Sequence, residues 1–214
     1  MKFTTSAVLA STLALASARA CPSPQPQAGE EGLDPKAFGV FRLFAIIIDG
    51  PYSQNSTVQF WKNGLSINVK QDGTCRDPSI NYASFSIAAS DADYQPGGLF
   101  LYGANPPIQA FVDRSGMGQG ILKFSEGVNP STPRNGERAP WVITKDHTLM
   151  FDNGNGATGF QACTQDQGKT FQVWLQGVDR PAGLEDCHKF TAQVWPVDTS
   201  EAENPNQCTY TYTQ

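Results

Sequence analysis

From Phe38 onward, apolar and polar residues alternate in short runs, and the alternation has a period of two. Leu65-Ser66-Ile67-Asn68-Val69, Phe85-Ser86-Ile87, Leu99-Phe100-Leu101 and Trp141-Val142-Ile143 follow it. So do Phe171-Gln172-Val173-Trp174-Leu175, Phe190-Thr191-Ala192-Gln193-Val194 and Thr209 to Thr213. Aromatic and β-branched residues in that period predict half-buried strands. Turn signals separate the runs: Asn63-Gly64, Asp72-Gly73, Gly97-Gly98, Asn105-Pro106-Pro107, Asn135-Gly136, Asn153 to Gly156 and Gln167-Gly168. No dozen-residue window carries a 3.6-residue period, so the expected fold is all-β.

An aromatic, any residue, then an apolar residue recurs at Phe41-Arg42-Leu43, Phe85-Ser86-Ile87, Trp141-Val142-Ile143 and Phe190-Thr191-Ala192. A hairpin unit cannot bury its apolar face alone, so a repeat of this length predicts units stacked around one core. A β-trefoil-like or other closed small barrel is expected, with a two-sheet β-sandwich as the alternative.

The first twenty residues read differently. Lys2 precedes an apolar stretch from Ala7 to Ala16, and the segment ends Ala18-Arg19-Ala20. Charge, length and ending predict a signal peptide over 1–20 and a secreted product. Residues 21–37 form a Pro-rich leader expected to be flexible. Residues 38–214 are expected to be a single all-β domain. No later run is long and apolar enough to anchor the chain in a membrane. Asn55-Ser56-Thr57 is an N-glycosylation acceptor in what reads as a Ser/Asn-rich loop.

Five cysteines follow the signal segment. In an oxidising compartment two disulfides among Cys75, Cys163, Cys187 and Cys208 are expected, with Cys21 unpaired and the three possible pairings open. Composition narrows the function. Of 214 residues only 16% are charged, and the net charge is −5. Nucleic-acid binding needs clustered positive charge, which is missing here.

Chemistry-bearing patterns are few. Asp113-Arg114-Ser115-Gly116-Met117-Gly118-Gln119-Gly120 joins two strands, so it is no dinucleotide fingerprint, which requires a following helix. It reads as a tight loop braced by an Asp113–Arg114 pair. Alternatively it is a ligand loop, in which Arg114, Ser115, Gly116, Gly118 and Gln119 offer amides and side chains to a sugar or polymer. Trp61, Trp141, Trp174 and Trp195 are candidates to stack on sugar rings, and Trp61, beside an Asn-Gly turn, is the one expected to be exposed. Trp141 and Trp174 are expected in the core or at its margins. His147 and His188 lack motif partners for a base or a zinc site. Asp152 to Gly156 opens like a calcium loop but has Cys163 at the twelfth position. Glu126 and Glu137 are the remaining candidates for a glycosidase pair. No catalytic residue, metal or cofactor is therefore expected.

The string Asp113 to Gly120 resembles the signature of the fungal cell-wall protein PhiA family. Its setting resembles the family too: Leu99 to Tyr102 before it, then Glu137-Arg138 with Trp141, Leu149 to Phe151, Phe160 to Cys163 and Val173-Trp174. Asp186-Cys187 with Phe190 to Ala192, and Asn206 to Tyr210, complete the likeness. Cys21 and its leader depart from the family pattern. The resemblance implies a secreted, non-enzymatic wall protein of filamentous fungi, linked to phialide and conidium development, with some allergenic members. Cell-wall polysaccharide or a wall glycoprotein is the expected partner. The alternative is a lectin-like module that binds a carbohydrate or a host molecule.

Overall fold

The computed structural model describes residues 39–48, 54–89, 97–127, 131–200 and 208–213. The signal segment, the leader with Cys21, and residue 38 lie outside the described residues.

In the first strand burial alternates although the apolar pattern does not. In β1 (Phe41–Ile47), Phe41, Leu43, Ala45 and Ile47 are buried, and Arg42, Phe44 and Ile46 face outward. Then follow β2 (Gln54–Trp61), β3 (Gly64–Ile67), β4 (Gly73–Cys75), β5 (Ser84–Ile87), β6 (Leu99–Leu101), β7 (Ile108–Asp113) and β8 (Ile121–Glu126). The second half carries β9 (Gly136–Glu137), β10 (Trp141–Ile143), β11 (Leu149–Asp152), β12 (Ala157–Thr158), β13 (Phe160–Thr164) and β14 (Phe171–Leu175). A 3-10 turn, Pro181–Gly183, precedes β15 (Asp186–Pro196) and β16 (Cys208–Tyr210).

The sheet closes on itself. Going round, β1 pairs with β15, β15 with β13, β13 with β14, β14 with β3, and β3 with β8. From there β8 pairs with β7, β7 with β6, β6 with β5, and β5 with β1 again; β2 bridges β1 and β3. The result is a nine-strand antiparallel barrel, so the expected closed barrel is what forms. Closure removes most free edges, which otherwise template aggregation. The aromatic-x-apolar units do not sit alike in it. Phe41 and Phe85 are cross-strand partners on β1 and β5, and Phe190 faces Ile47 on the other flank of β1. Trp141 instead opens the separate sheet β10–β11–β12.

That small sheet is packed onto the barrel through rings. Trp141 stacks on Phe160 with centroids 6.2 Å apart, and Phe160 stacks on Phe190 at 5.8 Å. At another position Phe60 meets Phe124 edge-on at 5.4 Å and Tyr210 at 5.6 Å. Tyr210 reaches this core because β16 pairs with β4, where Cys208 lies opposite Cys75 and is bonded to it. The second disulfide, Cys163–Cys187, joins opposed residues of β13 and β15.

One turn is displaced from its expected place. Trp61 pairs with Gly64, so the β2–β3 turn residues are Lys62 and Asn63, with φ of 49° and 55°. Both central residues therefore adopt the left-handed conformation of a tight hairpin. Gly64 already belongs to the strand. A Cβ there would approach the Leu122 carbonyl to 3.3 Å, which explains the glycine by close strand approach.

Candidate functional site

The glycine-rich loop between β7 and β8 is built by its own polar groups. The Asp113 carboxylate accepts the Ser115 amide at 2.9 Å, and the Ser115 hydroxyl oxygen accepts the Gly118 amide at 3.2 Å. The Ser115, Asp113 and Gly118 carbonyls accept the amides of Gln119, Gly120 and Ile121 at 2.8–2.9 Å. The glycines follow from this winding. A Cβ on Gly118 would lie 2.2 Å from the Asp113 carboxyl carbon. Gly120 has φ +85° and sits against β14, where its carbonyl accepts the Leu175 amide at 2.9 Å. The amides of Ser115, Gly118, Gln119 and Gly120 are thus engaged within the loop itself.

The expected Asp113–Arg114 brace is replaced. Arg114 donates Nε and Nη2 to both carboxylate oxygens of Glu137 at 2.9 Å each, while Asp113 turns to Ser115. Asn153 Nδ2 donates to Glu137 Oε2 at 3.0 Å, and the guanidinium lies 5.6 Å from the Phe151 ring centroid. A two-point Arg–carboxylate pair is stronger and more directional than a neighbouring Asp could offer. Glu137 is therefore a structural clasp between the loop, β9 and the small sheet. Gln119 Oε1 accepts the Ala182 amide at 2.6 Å, which ties the loop to the 3-10 turn. Met117, at the tip, is 96% exposed.

Other sequence candidates fall elsewhere. Asn55 is exposed, but on strand β2 and not in a loop. His147 is exposed in the β10–β11 turn. His188 Nε2 lies 2.7 Å from Asp186 on the same strand. Among the described residues, no three His, Cys, Asp or Glu side chains converge as metal ligands, and no helix is long and apolar enough to cross a membrane.

Two places on the outer wall have the character of a contact surface. The first is a row on β1, β15 and the segment before β5. Arg42 lies 4.7 Å from the Tyr82 centroid and 5.0 Å from that of Phe44, and Phe44 is 5.0 Å from Trp195. Trp195 is half exposed and stands directly across from Arg42. Sequence named it among the possible stacking residues without placing it, and its phase does so: Ala192 and Val194 point inward, so Trp195 points out.

The second is a pair of clefts of about 290 and 300 Å³ that share Trp61, Lys62 and Gln172. Trp61 is half-buried, with the Lys62 ammonium 4.1 Å from its ring centroid. Lys123 and Trp174 border the first cleft. Burial, and secondarily the charge of Lys62, hold the Lys123 pKa below its ordinary value. Asp166 borders the second. Its carboxylate accepts the Thr170 amide and the hydroxyls of Thr164 and Thr170, which lowers its pKa to about 2.

These features describe a disulfide-braced all-β protein whose interior is sealed and whose outer wall carries exposed aromatic rings. The family comparison gives that description its place: residues 41–211 match the model of the PhiA-like secreted protein family, and the chain belongs to that family. It is 33% identical to cell wall protein phiA of Aspergillus fumigatus over 205 residues, 94% of this chain and 95% of that one. It is 37% identical to cell wall protein phiA of Emericella nidulans over 142 residues, 66% of this chain and 69% of the relative. The Aspergillus niger protein of the same name is 33% identical over 143 residues, 66% and 68% of the two chains. No solved structure matches the chain. The protein is accordingly a secreted cell-wall protein.

Proposed function

We propose that the protein is a non-enzymatic constituent of the wall, held there by polysaccharide stacked on its outer aromatic row. The observation that carries the retention reading is the half-exposed Trp195 beside Phe44. A large ring left in water on an otherwise well-buried aromatic inventory favours contact with another apolar face, and sugar rings present such faces. Arg42, placed against both Phe44 and Tyr82, holds the row flat. A role in phialide and conidium development rests on the family resemblance alone.

The test is depletion from solution by insoluble glucan and by chitin. The native protein is expected to sediment with at least one polymer. Trp195→Ala lowers the affinity roughly two- to tenfold, the range set by about 0.5–1.5 kcal/mol per aromatic contact. If neither polymer depletes the native protein, retention by direct polysaccharide contact is wrong. A turnover on any wall polysaccharide that Glu137→Gln abolishes would overturn the non-enzymatic reading.

A further inference from the structure

We propose that the cleft beside Trp61 binds an anionic saccharide: a sugar ring bearing a carboxylate or a phosphate. The proposal deepens the wall-polysaccharide reading but uses a different face of the barrel, formed by β2, β3, β8 and β14.

Three observations converge. Trp174 is only 6% exposed and lines the cleft, yet its indole Nε1 is buried and has no hydrogen-bond partner among the described residues. A buried donor without an acceptor is costly and uncommon, so it marks a place where an acceptor from outside is gained. The Lys62 and Lys123 ammonium groups border the same cleft, and no carboxylate lines it. Among the described residues neither ammonium has an ion-pair partner; Lys123 donates to the Lys62 carbonyl at 3.0 Å. Two unneutralised cations side by side, in a chain of net charge −5, select an anion. Finally, Trp61 and Ile121 supply apolar walls and Gln172 an amide, the combination that fits a sugar ring with its apolar faces and hydroxyl rim.

Polarity also sets a direction. Beyond Trp61 the second cleft carries Asp166, a carboxylate held charged by its threonine partners. Lys62 borders both clefts but Lys123 only the first, so the acidic unit sits in the first cleft and a neighbouring unit beside Asp166 is neutral.

The test follows the Trp174 indole N–H signal by NMR while the full protein is titrated with glucuronate, mannose 6-phosphate and neutral glucose, with inorganic phosphate alone as a further arm. The expected result is a saturable downfield shift with glucuronate, mannose 6-phosphate, or both, weakened by salt. Which of the two binds separates a carboxylate from a phosphate source. Lys62→Gln and Lys123→Gln each weaken it about tenfold, and Lys123→Arg retains it. An unchanged native spectrum elsewhere shows that these variants fold.

Equal shifts with glucose, no shift with any sugar, or affinity indifferent to both lysine substitutions would each overturn the proposal. Phosphate alone reproducing the full shift would also overturn it, since the ring would then contribute nothing. Loss of this signal leaves polymer sedimentation through Trp195 untouched, so the two readings fail separately.

Discussion

Removal of the Cys75–Cys208 bond is expected to cost more stability than removal of Cys163–Cys187, although both join directly opposed strand residues. The perturbation is a pair of double substitutions, Cys75→Ala with Cys208→Ala and Cys163→Ala with Cys187→Ala, which leave no new thiol. The bonds span 133 and 24 residues. A cross-link restricts the unfolded chain more as the loop lengthens, giving about 5 kcal/mol for the long loop and about 3.5 kcal/mol for the short one. The difference is about 1.5 kcal/mol. The native side adds to it. Cys163 and Cys187 lie inside a ladder of five register pairs, so β13 and β15 stay neighbours without the bond. The β16–β4 sheet has three register pairs and, among the described residues, no other strand to hold it. Its release would draw Tyr210 out from against Phe60. Equilibrium urea unfolding at pH 7 measures the global cost. Hydrogen exchange of the Thr211 amide, which donates to the Asp72 carbonyl at 2.9 Å, reports the local release. Each pair loses the same two sulfur atoms, so the cavity costs largely cancel. Equal or reversed stabilities would refute the argument that loop length and the weakness of the β16 ladder decide the outcome.

Burial pushes the Tyr210 hydroxyl up to about 12, against the Ser84 amide that donates to it at 3.0 Å. An acid whose folded pKa is raised stabilises the fold below its unfolded pKa and loses that stability as pH rises through the folded value. Stability should therefore fall between about pH 10 and 12 by roughly 2–3 kcal/mol, and Tyr210→Phe, followed by alkaline unfolding, should flatten that fall. Gly118→Ala forces a Cβ into the Asp113 carboxyl group and should cost about 1–3 kcal/mol in denaturant unfolding. A near-neutral result would show that Asp113 does not cap this loop. For Arg114 and Glu137, whose side chains are 29% and 32% exposed, a double-mutant cycle to alanine should yield a coupling of about 1 kcal/mol, discounted for solvent. A coupling of zero would reduce the clasp to an incidental contact.

The alternating runs translated into strands because one face of each is buried, and a period of two leaves no other arrangement. The Phe85–Ile87, Leu99–Leu101 and Trp141–Ile143 runs were legible for that reason, whereas in β1 the apolar Phe44 and Ile46 obscure which face is buried. Closure into a barrel was legible only as one of several ways to bury such faces. What local pattern could not supply was the partner across the fold. Arg114 has an acid beside it at Asp113, but the bidentate geometry is met by Glu137, 23 residues on. The Asn63-Gly64 signal placed a turn correctly to within one residue. The glycine's reason is the Leu122 carbonyl, which the sequence does not show. Trp61 was singled out for its turn, whereas the more exposed Trp195 was a stacking candidate that the alternating run ending at Val194 left unplaced. The disulfide pairing was open for the same reason: Cys75 and Cys208 meet only once β16 crosses the molecule to β4.

In the proposed reading, persistence and adhesion fall on opposite phases of the same strands. On β15, Phe190, Ala192 and Val194 face the core, while Trp195 stands out of phase beside the Arg42–Phe44 row. On β14, Phe171, Val173 and Leu175 face inward, while Gln172 and Trp174 border the cleft. A substitution at an outward position changes what the wall contacts without opening a cavity in the core, so ligand preference can vary among relatives while the barrel stays intact. The loop from Asp113 to Gly120 follows the other logic. Its polar groups are spent on one another, on Glu137 and on Ala182, so altering them disturbs the joint between barrel and small sheet before it alters any surface. The most distinctive string in the sequence is in this way a structural joint, and the proposed binding surfaces lie instead in outward-phase residues of the strands and in Trp61 beside its turn.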